Sequence, residues 1–290
     1  SKSYYSDMVR FLGTLLVGAL CFSGCVSSTS SSTDSSSTSC PVPEDQGQVV
    51  VLAASSMANV LQTIKPDYLA NHPCATDLVF SFGSSATLAA QVVNGAPADV
   101  FVSASKGTME FVQESGAITA PEIFAKNFAA IMYSRKSSFS TQITSVQALL
   151  DSSLAGIKVG LCVETAPCGS LADSVLDNAR LAYDDKSLTR GVIADTESPS
   201  VEDLVSKIEM GELDAGIVYK SDCHFSTTSQ NSPGCVEIPD MHNGKPLNLA
   251  NEYYVGAIST KATSREFTQF IASSAFQSML QSKYGFSAPS

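Results

Sequence analysis

Apolar positions alternate between two patterns along most of the chain. Val49–Ala53 is a continuous, β-branched run, as expected for a strand buried on both faces. Met57, Val60, Leu61, Ile64 and Tyr68 then recur at helical spacing, with Pro66 a predicted kink. Asp77–Ser81 predicts a second strand, and Leu88, Ala89, Val92 and Val93 a short helix ended by Asn94–Gly95. Asp99–Ser103 predicts a third strand, followed by a helix through Met109, Phe111 and Val112. The alternation resumes with strands at Ala129–Tyr133, Ile157–Leu161 and Ala215–Tyr219, and helices over Leu171–Leu181 and Val201–Met210. A Ser/Thr-rich loop at 226–232 precedes strands at Val236–Ile238 and Tyr254–Ile258 and a last helix over Arg265–Leu280. Strands alternating with helices predict an α/β architecture with largely parallel sheets. Two such sets suggest two lobes, with a ligand held where strands end and helices begin.

The N-terminal segment has a different pattern. Met8–Val9–Arg10 gives a basic start and Phe11 to Phe22 an apolar run. That run is too short for a bilayer, which needs about 20 residues, but it suits an export signal. Phe22–Ser23–Gly24–Cys25 resembles the lipobox of bacterial lipoproteins, with Phe22 where Leu is usual. The resemblance implies cleavage after residue 24 and acylation of Cys25. Residues 26–39 are Ser/Thr-rich and read as a tether, so the expected product is a globular body leashed to the outer face of a membrane.

The chain has 8 cysteines, 3 histidines, 17 Lys+Arg and 28 Asp+Glu, a formal charge of −11 that becomes −12 without residues 1–24. Such a charge excludes a general nucleic-acid binder, which needs clustered Lys and Arg. With Cys21 lost and Cys25 acylated, Cys40, Cys74, Cys162, Cys168, Cys223 and Cys235 remain. An even set in an exported protein predicts disulfides, with 15 connectivities open. Proximity favours Cys162–Cys168 and Cys223–Cys235, leaving Cys40–Cys74. There is no Cys-x-x-Cys, and His72, His224 and His242 are scattered, so a metal-ion centre is not expected.

Hydroxyls gather at strand-to-helix junctions. Ala53–Ala54–Ser55–Ser56 ends the first strand, and Phe82–Gly83–Ser84–Ser85–Ala86–Thr87 ends the second. A helix N-terminus presents unpaired N–H groups and a positive dipole end, so two such junctions on neighbouring strands can hold an anion without a charged side chain. Ser103–Ala104–Ser105–Lys106 matches a Ser-x-x-Lys pattern, but no Ser-Asp-Asn or Lys-Thr-Gly accompanies it. No Gly-x-Ser-x-Gly or P-loop occurs. Asp99 reads as structural, Tyr253–Tyr254 as core or hinge, and the histidines as surface or loop residues.

VVVLAASSMANVL (49–61), FSFGSSATLAAQVVNGAPADVFVSAS (80–105), DAGIVYKSD (214–222) and KYGF (283–286) resemble the molybdate-binding proteins of bacterial ABC transporters. The resemblance runs from about Val49 to Phe286. It implies a two-lobed periplasmic-binding-protein fold of type II with the ligand in the cleft. The implied limits are 46–131 with 251–290 for lobe 1, 132–250 for lobe 2, and 25–45 for the acylated Cys and tether. The implied contacts to the oxyanion are Ser56, Ser85, Cys168 through its N–H, Val201 and Tyr219. Cys168 stands where the family has Ala. The resemblance also implies a monomer without enzymatic activity or cofactor, whose ligand is molybdate or tungstate and whose partner is an ABC permease with its cytoplasmic ATPase. The chemistry of the matched positions agrees: they offer donors only, suiting a fully deprotonated tetrahedral dianion, whereas monohydrogen phosphate would want a carboxylate acceptor. Sulfate or thiosulfate fits the same description, and a secreted enzyme using Ser103 and Lys106 or a surface adhesin are the readings of other classes.

Overall fold

The computed structural model describes residue 40 and residues 46–151, 154–225 and 232–289. The signal-like run, Cys25 and most of the expected tether lie outside these residues.

The strands in chain order are β1 (Gly47–Ala54), β2 (Ala75–Gly83), β3 (Val100–Ser103), β4 (Glu122–Asn127), β5 (Ala129–Tyr133), β6 (Val159–Cys162), β7 (Thr196–Ser198), β8 (Ala215–Tyr219), β9 (Gly234–Glu237), β10 (Met241–His242), β11 (Lys245–Pro246) and β12 (Asn251–Ala257). The helices are α1 (Ala58–Asn71), α2 (Ser85–Val93), α3 (Lys106–Glu114), α4 (Pro167–Ala182), α5 (Arg190–Ile193), α6 (Val201–Met210), α7 (Lys220–Phe225), α8 (Ala262–Ala272) and α9 (Ser274–Tyr284). One sheet has the order β2-β1-β3-β12-β4 and the other β7-β6-β8-β5-β9, with β10 and β11 a separate hairpin.

The sheets are mixed rather than largely parallel. β2, β1 and β3 run parallel, as do β7, β6 and β8, but β12 is antiparallel to β3 and β4, and β5 to β8 and β9. The antiparallel members are the strands through which the chain passes from one sheet to the other. The first passage occurs at Phe128, between β4 and β5, so the expected lobe limit at 131 runs into a strand of the second sheet. The expected single helix over 265–280 is two helices: Ser273 is extended (φ −68°, ψ 148°) and its hydroxyl caps α9 by accepting from the Phe276 N–H at 3.2 Å. α1 continues through Pro66. Gly95, at φ +80°, follows the end of α2 in the left-handed conformation that a helix stop favours.

Each sheet has its own core. Val49, Val51, Leu61, Tyr68, Phe124, Phe267 and Phe276 are buried with the first, and Ile131, Leu161, Val175, Leu204, Ile208 and Ile217 with the second. Full burial of one such side chain contributes roughly 1.5–3 kcal/mol, so each half carries substantial apolar stabilisation of its own. Disulfides join Cys40 to Cys74, Cys162 to Cys168 and Cys223 to Cys235, one arrangement of the fifteen. No helix among the described residues is long and apolar enough to cross a membrane.

Candidate functional site

The parallel strands bring their carboxyl ends to common edges. Ala54 of β1 pairs with Gly83 of β2, and Cys162 of β6 with Ser198 of β7. Past these ends the chain turns at once into helices. A 3-10 turn over Ser55–Met57 leads into α1, Ser84 precedes α2, Ala166 precedes α4 and Ser200 precedes α6. None of the first three is capped by its N-cap side chain, while Ser200 spends its hydroxyl on the Asp203 N–H. Helix geometry leaves the first N–H groups of each of these elements without intrahelical partners, and the dipoles add positive potential at the same end.

Ser56, Ser85, Cys168, Val201 and Tyr219 line one cavity, joined by Ser55, Ala104 and Ser200. The structure therefore brings together all five positions that the sequence singled out, from both sheets. The space they line is about 200 Å³, counting its open side. Organic-ligand pockets are typically several hundred Å³, so this one suits a small inorganic ion better than a sugar or amino acid. Its lining has no Lys, Arg, His, Asp or Glu. A wider groove of about 1010 Å³, counting its open mouth, lies alongside and is flanked by Glu202, Glu209 and Asp222. Carboxylates there disfavour an anion, in contrast to the uncharged lining of the narrow cavity.

The hydroxyls are held by partners far away in sequence. Ser85 is buried, and its Oγ accepts from the Ala104 N–H at 2.9 Å. Ser56 Oγ lies 2.9 Å from the Tyr253 hydroxyl. The Tyr219 hydroxyl accepts from Asn251 Nδ2 at 3.0 Å. Burial pushes the Tyr219 and Tyr253 hydroxyls well above the ordinary tyrosine range, so both keep their protons at any physiological pH. Burial also raises Asp222 to about 7, although its Oδ2 accepts the Tyr219 N–H at 2.9 Å, so this carboxyl is only partly ionised near neutrality.

Cys168 stands in the first turn of α4, tied back to Cys162 at the end of β6. Gly169 makes this tight return possible: a Cβ there would fall 1.9 Å from the Val163 carbonyl oxygen. Tyr253, read from sequence as core or hinge, is buried, and it also touches a lining residue. Asn127, Asn251 and the Ala104 N–H were not anticipated, because their partners lie 94, 32 and 19 residues away in the chain and nothing local signals them.

The other candidates have structural surroundings. Ser103 is fully buried, with its hydroxyl donating to the Ser105 carbonyl, and it also contacts Thr108. Lys106 is exposed and pairs with Glu110 at 3.7 Å. Asp99 is 4% exposed and accepts from the Val50 N–H at 2.9 Å and from Lys261. His72 lies in the loop after α1, as expected, where it stacks on Tyr68 at 4.0 Å and bonds Glu266. Among the described residues no cluster of His, Cys, Asp and Glu could hold a metal ion.

The profile of the bacterial extracellular solute-binding proteins matches residues 49–287. The chain is 34% identical over 249 residues to the molybdate-binding protein ModA of Haemophilus influenzae, covering 83% of this chain and 90% of that one. It is 29% identical over 284 residues to ModA of Mycobacterium tuberculosis, covering 96% and 98%. Among solved structures it resembles the periplasmic molybdate-binding protein of Azotobacter vinelandii, with a TM-score of 0.66 and 20% identity, over 84% of this chain and all of that one.

Proposed function

Given that the chain belongs to the bacterial extracellular solute-binding proteins, we propose that it captures molybdate outside the cytoplasm for import by an ABC transporter. The single observation that carries this reading is the cavity itself: five uncharged donor positions from two sheets converge on a space sized for one small ion. Molybdate near neutral pH is a tetrahedral dianion with four acceptor oxygens and no proton. Hydroxyls of Ser56, Ser85 and Tyr219 and the N–H groups of Ser56, Ser85, Cys168 and Val201 supply donors to those oxygens. A hydrogen bond to a charged group contributes roughly 1.5–3 kcal/mol, so several together outweigh the cost of desolvating the ion and ordering the lobes. The overall charge of −11 opposes an anion at long range, but salt screens that field within about 10 Å, whereas the helix ends act at contact.

Tungstate, of the same shape and charge, is the second ligand in this reading. Capture proceeds by closure of lobe 2 on lobe 1 about the two passages near residues 128 and 250, and delivery by docking of the closed form on a permease driven by a cytoplasmic ATPase. The protein works as a monomer, performs no covalent chemistry and needs no cofactor, and acylated Cys25 holds it to the membrane by the Ser/Thr-rich tether.

Titration calorimetry with molybdate, tungstate, sulfate and phosphate tests the reading. The expected result is one site per chain for molybdate and tungstate, with phosphate silent. Heat with sulfate alone would replace molybdate by sulfate as the cargo.

A further inference from the structure

The directions of the Tyr219 and Ser85 hydroxyls can be traced to backbone groups whose polarity is unambiguous. Asn251 Nδ2 lies 2.6 Å from the Ala104 carbonyl oxygen, which can only accept. That contact fixes the amide so that its NH2 faces Ala104, and the second N–H then reaches the Tyr219 hydroxyl at 3.0 Å. Tyr219 therefore spends a lone pair on Asn251, and its one proton must point elsewhere. The Tyr253 hydroxyl oxygen is the protein acceptor within reach of that proton, and a dianion in the cavity is a stronger acceptor that draws the proton away from a neutral phenol.

Ser85 follows the same logic. The Ala104 N–H can only donate, so Ser85 Oγ accepts it and the Ser85 proton is left for the cavity. Asn127 Oδ1 accepts from the Phe128 N–H at 3.0 Å, which turns Nδ2 toward Ser221 Oγ (2.7 Å) and the Tyr253 hydroxyl (3.4 Å). Tyr253 accepts there and shares a hydrogen bond of 2.9 Å with Ser56 Oγ, in which either hydroxyl can donate.

We propose that Asn251 is a positioning residue: by donating to Tyr219 it aims that hydroxyl's proton into the cavity, so that the site rejects oxyanions that carry a proton of their own. This rests on the anion-binding reading above. Monohydrogen phosphate must donate its proton to something, and Tyr219, with Asn251 already on its oxygen and its own proton turned to the anion, is a poor acceptor for it. With Asn251 gone, Tyr219 is released to rotate and to accept. Asn251 also ties Ala104, which follows β3 of the first sheet, to Tyr219 at the end of β8 of the second.

The test is a double-mutant cycle read by calorimetry on the folded, disulfide-intact protein, with molybdate and inorganic phosphate as probes. Asn251→Leu, which keeps the side-chain volume close, is expected to weaken molybdate by about three- to tenfold and to narrow the molybdate-to-phosphate ratio by more than that. In a Tyr219→Phe background the same substitution is expected to change molybdate affinity by less than about twofold, because no hydroxyl remains to be aimed. An equal loss in both backgrounds, or an unchanged phosphate ratio, would overturn the proposal, since a merely structural role predicts additivity. Should Asn251→Leu not fold, Asn251→Ala is put through the same cycle. Absence of molybdate binding by the unsubstituted protein is a separate outcome, which overturns the anion reading and this proposal with it.

Discussion

Ser85→Ala separates the two jobs of one buried hydroxyl. Ser85 is 1% exposed, at the first position of α2, and its Oγ accepts the Ala104 N–H at 2.9 Å. Removing the oxygen leaves that N–H buried without its partner, at a cost of roughly 1–3 kcal/mol. For a chain of this size about 1 kcal/mol shifts Tm by roughly 2–4 °C, so the protein without anion should melt about 2–12 °C lower. The same change deletes one donor to the anion, a charge-assisted bond of roughly 1.5–3 kcal/mol, or about ten- to 150-fold in affinity. Calorimetry at pH 7 with molybdate and a thermal melt without it read the two effects independently. Lower Tm with unchanged affinity refutes the placement of the anion, because Ser85 would then be structural only. Weaker binding with unchanged Tm refutes the assigned Ala104 bond.

Other consequences follow from particular contacts. Asp222→Asn is expected to raise Tm by a few degrees at pH 8 and to do little near pH 4. The native carboxyl, at about 7, lies above its value in the unfolded chain, so the native state binds more protons between roughly pH 4 and 7 and loses stability as pH rises through that window. A pH-independent change in Tm would contradict the assigned burial. Asp99→Ala should cost about 1–3 kcal/mol in denaturant unfolding by orphaning the Val50 N–H, with little added by the loss of the half-exposed Lys261 pair. Burial alone would raise the Asp99 carboxyl, but the Val50 N–H and Lys261 outweigh it and lower it, so its contribution is present above about pH 4 and fades as pH falls through the native value. Gly169→Ala must displace the first turn of α4, because its Cβ would lie 1.9 Å from a backbone oxygen, and is expected to weaken molybdate at least tenfold while Tm also falls; binding at full strength would remove the Cys168 N–H from the site.

What the sequence made legible was local. Buried strands announced themselves as β-branched runs, and the helix openings as Ser pairs after them, so the two hydroxyl-bearing junctions could be read directly, whereas Ser56 and Ser85 within them, and Cys168, were singled out by resemblance. Val201 and Tyr219 came only through resemblance, since a Val opening a helix and a Tyr closing a strand have no chemistry of their own until the fold sets them side by side. β4 escaped because Glu122–Asn127 alternates weakly, with charges at Glu122 and Lys126, and it acquires its place by pairing with β12 well over 100 residues later. The antiparallel sense of β5 and β12 was equally invisible: hydrophobic period reports a strand, not its direction. The split at Ser273 had a signal, a Ser pair interrupting the helical period, whose capping role outweighed the continuity of the apolar stripe on either side. The asparagines at the passages between the sheets had none, because Asn127, Asn248 and Asn251 act through backbone groups that only the folded chain brings within reach.

Anomalous diffraction from crystals soaked in tungstate tests most directly whether a proton-free tetrahedral anion sits among uncharged donors at these helix ends. The expected result is one tungsten peak per chain, its oxygens within hydrogen-bond distance of Ser85 Oγ, the Tyr219 hydroxyl and the Cys168 N–H. A peak in the neighbouring groove beside Glu202 and Glu209, or on surface lysines only, would contradict it.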